Sequence, residues 1–332
     1  MAKIGVFGAG TWGVALTRML AKSGHEVQLW SAIKSELDAL REKGEQPNLP
    51  GVDIPENISY TEELETICRG KDILLNVVSS PYVRNTFQKA APYIPEGQLI
   101  VNASKGIEPD SLLTLTEVIG EAVQKKVKLA ALAGPTHAEE VARDLPTTIV
   151  ATSQAPGAAD YVQQVFSNPV MRVYTNDDIL GTELCGALKN VIALAAGISD
   201  GLGYGDNAKA GIITRGLTEM RRLGEAMGAQ AETFWGLAGV GDLIVTATSR
   251  HSRNNRCGHM IGEGLSVEEA VKQVGQVVEG LNALPAALKL ADKYRVDMPI
   301  TRSLGAIVNQ GISPRDAVKA LMERDKKRED LD

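Results

Sequence analysis

At 332 residues the chain exceeds one typical core, so two domains are expected. Its 44% hydrophobic and 23% charged residues suit an ordinary globular protein, and a net charge of −6 argues against a nucleic-acid or anionic-membrane surface. Cys68, Cys185 and Cys257 are scattered and His25, His137, His251 and His259 form no HExxH pattern, so neither a disulfide framework nor a metal site is expected, and a reducing, cytoplasmic setting is.

Met1 leads directly into a short apolar run, Lys3–Phe7, and no signal peptide is expected. No apolar run approaches the ~18 residues of a membrane-spanning helix. A glycine turn follows. Thr11–Ser23 then reads as a helix, with Trp12, Ala15, Leu16, Met19 and Leu20 at helical spacing. Gly24 ends it, and Glu26–Trp30 is a second strand. Further strands are expected at Asp72–Val78, Gln98–Asn102, Leu129–Ala133 and Thr147–Ala151, mostly separated by helical stretches. This alternation predicts an α/β doubly wound, mainly parallel sheet of the Rossmann type over residues 1–176. From 177 to 332 the pattern is all-α. Asp177–Ile198 carries Leu180, Leu184, Leu188, Val191 and Ala195 at steps of three or four, and helices follow at Ala208–Met227, Val267–Val274, Gly280–Lys293 and Ser313–Glu323. The charged end, Glu323–Asp332, reads as frayed and solvated.

Gly8-Ala9-Gly10-Thr11-Trp12-Gly13 matches GxGxxG between a strand and a helix. The first glycine permits the tight turn, the second lets a pyrophosphate approach the backbone, and the third lets helix and strand pack closely. Residues 1–176 are therefore expected to bind a dinucleotide, and 177–332 the substrate. The second strand ends at Trp30-Ser31, without the acid usual for NAD or the arginine usual for NADP. Lys34 is within reach of a 2′-phosphate but reads first as a solvated helix residue, and both cofactors stay open.

Several segments are too polar and glycine-rich for routine packing: Asn102-Ala103-Ser104-Lys105-Gly106, Gly134-Pro135-Thr136-His137-Ala138, Gly186-Ala187-Leu188-Lys189-Asn190, Gly239 to Thr246, and Ser252-Arg253-Asn254. With Ser199-Asp200-Gly201-Leu202-Gly203 and Ile213-Thr214-Arg215-Gly216-Leu217, they resemble the bacterial-type NAD(P)-dependent sn-glycerol-3-phosphate dehydrogenases, from Lys3 to about Arg324. The resemblance implies Lys189 as the general acid/base, with Lys105 a second active-site lysine touching substrate and cofactor. It places Gly134, Thr136, Asp242, Ser252, Arg253 and Asn254 on the substrate. It places Thr11, Trp12, Ala138, Arg253, Val277 and Glu279 on the cofactor, beside the turn glycines Gly8, Gly10 and Gly13. It also implies a homodimer that reduces dihydroxyacetone phosphate to glycerol 3-phosphate for phospholipid synthesis. The family often carries a basic residue just after the second strand, which Ser31-Ala32 lacks.

The chemistry asks for the same residue types. Moving hydride at a secondary alcohol requires a group that takes and returns the hydroxyl proton. A lysine serves if its pKa falls from about 10.4 towards neutrality; a fall of roughly two pH units corresponds to about 2.7 kcal/mol. Burial beside the core stripe and a second cation such as Lys105 would favour this, whereas a bare Asp242 carboxylate would oppose it. Asn190 is positioned to orient the substrate hydroxyl. Arg253 offers a planar fork for phosphate, Asn254 an amide, and Ser252 a helix N-cap whose free N–H groups suit an anion. His137 and His251 read as bystanders. Two other classes fit the architecture: a two-domain hydroxy-acid or sugar-nucleotide dehydrogenase, and an NAD(H)-sensing protein without turnover.

Overall fold

Along Lys3–Phe7 (β1), Ile4 and Val6 enter one apolar cluster while Phe7 enters another, the period-two alternation of a strand buried on both faces. A computed structural model describes residues 1–326 and 328–329. Of the tail expected to be solvated, Glu323–Lys326 are exposed; Lys327 and residues 330–332 lie outside the described residues.

The chain divides into two compact units. The first comprises Met1–Lys105 and Leu113–Ile179; the second comprises Gly106–Leu112 and Leu180 onward. The first unit is a sheet in which Glu26–Trp30 (β2), Ser59–Thr61 (β3), Ile73–Asn76 (β4), Leu99–Asn102 (β5), Lys128–Ala133 (β6), Thr147–Thr152 (β7) and Met171–Asn176 (β8) join β1 in the order β3-β2-β1-β4-β5-β6-β7-β8. All neighbours pair parallel except β6 with β7. Seven helices flank it: Thr11–Lys22 (α1), Lys34–Lys43 (α2), Leu64–Cys68 (α3), Val83–Ala90 (α4), Leu115–Val123 (α5), Ala138–Val141 (α6) and Ala158–Phe166 (α7). One face packs Leu16, Leu20, Leu37 and Val162, and the other packs Phe7, Phe87 and Trp30, with ring centroids 5.3 and 5.6 Å from Phe7.

The strands at β3 and β8 are absent from the sequence expectation. Both carry polar side chains on exposed positions, so neither forms a continuous apolar run. Both β4 and β5 are shorter than the expected Asp72–Val78 and Gln98–Asn102: each starts one residue later, and β4 also ends two residues earlier.

The second unit is helical: Ile179–Gly201 (α8), Asp206–Met227 (α9), Ala231–Trp235 (α10), Asp242–Thr248 (α11), Arg253–Gly262 (α12), Val267–Val274 (α13), Glu279–Tyr294 (α14), Pro299–Gln310 (α15) and Pro314–Met322 (α16). The α8 helix is buried nearly all round rather than along one stripe, because other helices pack on several of its sides. Gly197 and Gly258 mark its crossing with α12: a Cβ on Gly258 would stand 2.1 Å from the Leu194 carbonyl oxygen, and one on Gly197 2.1 Å from that of Asn255. The α8 helix is long and apolar enough by length and composition to cross a membrane, but 83% of its apolar window is buried within the protein, as in a core helix. Cys68 and Cys257 are buried thiols, pushed by desolvation to about 12 and about 11. Among the described residues no group of three or more His, Cys, Asp or Glu side chains is arranged to hold a metal.

Candidate active site

The chain leaves β1 outward through β2 and β3 and returns to β4 on the other side of β1, so the sheet's topological switch point lies between β1 and β4. Gly8 sits there with φ +111°, and its N–H donates to the Trp30 carbonyl at 2.8 Å. A Cβ on Gly8 would lie 2.9 Å from the Val77 carbonyl oxygen, and one on Gly13 would lie 2.0 Å from that of Gly8. Gly10 differs: it caps α1, and a Cβ there would meet nothing within 4 Å. Two glycines thus serve the fold, and the third leaves an open cradle over a helix N-terminus with no acidic residue in its first turn. That cradle fits a dinucleotide pyrophosphate. Thr11 begins α1, and the Trp12 indole donates to the Ala103 carbonyl at 3.2 Å, tying the turn to the loop after β5.

That loop is fixed from beneath. Asn76 Nδ2 donates to Asn102 Oδ1 at 2.8 Å, Asn102 Nδ2 donates to the Ser104 carbonyl at 3.1 Å, and Ser104 Oγ donates to the Val78 carbonyl at 2.6 Å. Lys105 follows directly, its ammonium 3.4 Å from both the Gly134 carbonyl oxygen and Thr136 Oγ1. Gly134 has φ +142°, and a Cβ there would press within 3.0 Å of the Ile149 Cα. Ala138 starts the short α6 and packs on the core.

In the second unit Lys189 lies on α8 with 5% exposure. Its Nζ donates to Asp242 Oδ1 at 2.5 Å and to Thr246 Oγ1 at 2.6 Å. Asp242 is wholly buried and opens α11, where the helix dipole favours a carboxylate. A wide turn over Leu237–Gly241, closed by Gly241 N–H to the Gly236 carbonyl at 3.2 Å, delivers it there. Thr246, one helical turn on, donates its own proton to the Asp242 carbonyl at 2.6 Å, so its oxygen accepts from lysine. The motif Gly239 to Thr246 contains Thr246, but the sequence reading gave it no role. Its signal was the i+4 spacing from Asp242.

Beside Lys189, Asn190 accepts from Asn254 Nδ2 at 2.9 Å and donates to the Gly186 carbonyl at 3.1 Å. Asn254 Oδ1 in turn accepts the Gly280 N–H at 2.8 Å. These buried amides join α8, α12 and the start of α14, and Gly280 is the neighbour of Glu279. Ser252 caps α12, its Oγ accepting the Asn255 N–H at 3.2 Å. Arg253, the first residue of α12, is exposed, as are His251 and Val277. One hydrogen bond therefore links the residue after Lys189 to the residue after Arg253.

The residues expected on cofactor and substrate divide between the units. Gly8 to Gly13, Lys105, Gly134, Thr136 and Ala138 belong to the first; Lys189, Asn190, Asp242, Ser252 to Asn254, Val277 and Glu279 belong to the second.

A glycine cradle at a parallel sheet's switch point, with a buried lysine–carboxylate–hydroxyl set on a helical unit, defines the class of two-domain, dinucleotide-dependent dehydrogenases. Residues 3–159 match the family model of the NAD-dependent glycerol-3-phosphate dehydrogenase N-terminus, and residues 178–319 that of its C-terminus. The chain is 59% identical to glycerol-3-phosphate dehydrogenase [NAD(P)+] 2 of Lactobacillus delbrueckii subsp. bulgaricus, over 99% of both chains. It is 49% identical to glycerol-3-phosphate dehydrogenase [NAD(P)+] of Agathobacter rectalis, over 98% of this chain and 97% of that one. The crystal structure of glycerol-3-phosphate dehydrogenase from Coxiella burnetii superposes with a TM-score of 0.93 at 38% identity, covering 97% of this chain and 99% of that one. This chain belongs to the NAD(P)-dependent glycerol-3-phosphate dehydrogenase family. The comparisons support that activity over the hydroxy-acid, sugar-nucleotide and sensor alternatives.

Proposed function

We propose that this chain interconverts dihydroxyacetone phosphate and sn-glycerol 3-phosphate with Lys189 as the proton-transfer group. The observation that carries this reading is the Lys189 ammonium, buried and held between Asp242 and Thr246. The nicotinamide of NAD(P)H supplies the hydride to C2 when the cofactor is bound. Lys189 Nζ gives a proton to the ketone oxygen, and the amine is reprotonated from water; in the oxidative direction the amine takes that proton. Asp242 and Thr246 fix the direction of Nζ. A buried charge of this kind aims better than a solvated lysine, whose side chain samples many rotamers.

Arg253 takes the substrate phosphate with its guanidinium fork, helped by the free N–H groups that Ser252 leaves at the start of α12. Asn190 and Asn254 hold α8 and α12 in register, so the proton donor and the phosphate ligand keep a constant separation. Lys105, Gly134 and Thr136 complete the substrate contacts. Ala138, Val277 and Glu279 join Gly8, Gly10, Thr11, Trp12 and Gly13 on the cofactor. The protein works as a cytoplasmic homodimer without inserting in a membrane, and its product feeds glycerophospholipid synthesis.

The test follows nicotinamide absorbance with purified protein, NADH or NADPH, and either dihydroxyacetone phosphate or unphosphorylated dihydroxyacetone. Rapid oxidation only with the phosphate ester is expected. Arg253→Ala should raise KM for the ester by about ten- to a hundredfold, the loss of a charge-assisted pair. Cofactor binding without turnover of the ester would overturn the assignment.

A further inference from the structure

We propose that Glu36 selects the cofactor at the adenosine ribose and sets this enzyme to favour NADH over NADPH. The inference rests on the dinucleotide reading of the β1 turn and deepens it. In a doubly wound sheet the adenosine ribose comes to the C-terminal end of the second strand, where an acid on the strand itself normally receives the 2′-hydroxyl. Here that strand ends at Trp30 and is followed by Ser31, Ala32 and Ile33, which carry no charge.

The charge comes instead from the next helix. Ser31 is buried, accepts the Ile33 N–H at 3.0 Å, and donates its hydroxyl to Glu36 Oε2 at 2.6 Å. Glu36 lies in the first turn of α2, five residues beyond Ser31, with its carboxylate folded back onto the strand end. Two features hold the side chain there: the short hydroxyl-to-carboxylate bond and its place at the positive end of the α2 dipole. A carboxylate accepts about four hydrogen bonds, so the Ser31 bond leaves acceptor capacity for a ribose hydroxyl. A 2′-phosphate brings a charge of roughly −1.5 to −2 and no donor, and it meets a fixed negative charge.

The neighbouring cations do not reverse this balance. Lys34 is exposed at the helix start, where a flexible ammonium is screened by water. Arg41, the next arginine along α2, is 3.7 Å from Asp38 and 3.6 Å from Glu62 and also donates to the Tyr60 carbonyl. The fixed carboxylate therefore outweighs the mobile lysine.

The test titrates the full-length protein with NADH and with NADPH, followed by nicotinamide fluorescence in the absence of substrate. The parent should bind NADH at least about tenfold more tightly. Glu36→Gln keeps the shape and removes the charge, and should bring the two Kd values within about threefold; Glu36→Lys should reverse the order. Ser31→Ala, which frees the carboxylate without removing it, should narrow the ratio partway. Equal or tighter NADPH binding by the parent, or an unchanged ratio in Glu36→Gln, would overturn the proposal. Failure of the parent to bind either cofactor would instead remove the dinucleotide reading, and this selection with it.

Discussion

Thr246 shows what a single hydroxyl contributes when it sits beside a buried ammonium. Its oxygen accepts from Lys189 while its proton goes to the Asp242 carbonyl, so lysine has two fixed acceptors rather than one. Thr246→Val keeps the volume and removes that acceptor. Turnover should fall about tenfold or more, the cost of one buried hydrogen bond to a charged group, while the Kd for NADH stays put. Steady-state kinetics beside a fluorescence titration separates the two. Lys189, Asp242 and Arg253 stand out in the sequence because their motifs are rare in combination, and the structure pairs the first two in a buried contact. The sequence did not make Thr246 legible, because a threonine one turn after an acid is common on any helix. Nor did it reveal that Asn190 and Asn254 bond to each other: a pairing 64 residues apart is a tertiary fact. Glu36 was missed for a related reason, since the rule for the second strand looks at its last residues and not at the helix beyond.

At the scale of elements, the crossing of α8 with α12 fixes where Lys189 and Arg253 stand. The helices approach so closely that a side chain at Gly258 would meet the Leu194 carbonyl at 2.1 Å. Gly258→Ala should therefore destabilise the protein by about 1–3 kcal/mol or more, read from urea unfolding. Gly205→Ala is the control: it has φ −78° and open space around a Cβ, and should change stability by no more than about 0.5 kcal/mol. The long elements were readable from periodicity. Thr11–Lys22 and Val267–Val274 fall within a residue of their expected bounds, because an apolar stripe and capping residues agree there. The edge strands β3 and β8 and the helix α15 left weak patterns, being short or mixed in polarity. The α8 helix was legible as helix, but its all-round burial depends on neighbours that periodicity does not describe.

At the scale of the molecule, stability should carry one unusual pH dependence. Glu219 of α9 is buried and accepts the N–H groups of Ile300 and Thr301 and the Thr301 hydroxyl, which ties α9 to the start of α15. Burial, with a smaller push from Asp297, raises its carboxyl from 4.5 to about 7 despite those bonds. A raised carboxyl favours the protonated form in the native state. Its contribution is therefore complete below about pH 4.5 and is lost as pH rises through about 7, amounting to about 3 kcal/mol at most. The thermal midpoint of the parent should fall between about pH 5 and about pH 8, and Glu219→Gln should flatten that slope. A parent midpoint constant across the range would contradict the assignment.

Proton transfer by Lys189 is tested most directly by the turnover of Lys189→Met with dihydroxyacetone phosphate, measured beside its affinity for NADH. A fall in kcat of about 10²–10⁴-fold is expected, with NADH Kd within about threefold of the parent, since the residues proposed for the pyrophosphate turn belong to the first unit. A variant that binds NADH and still turns over within tenfold of the parent would show that another group carries the proton.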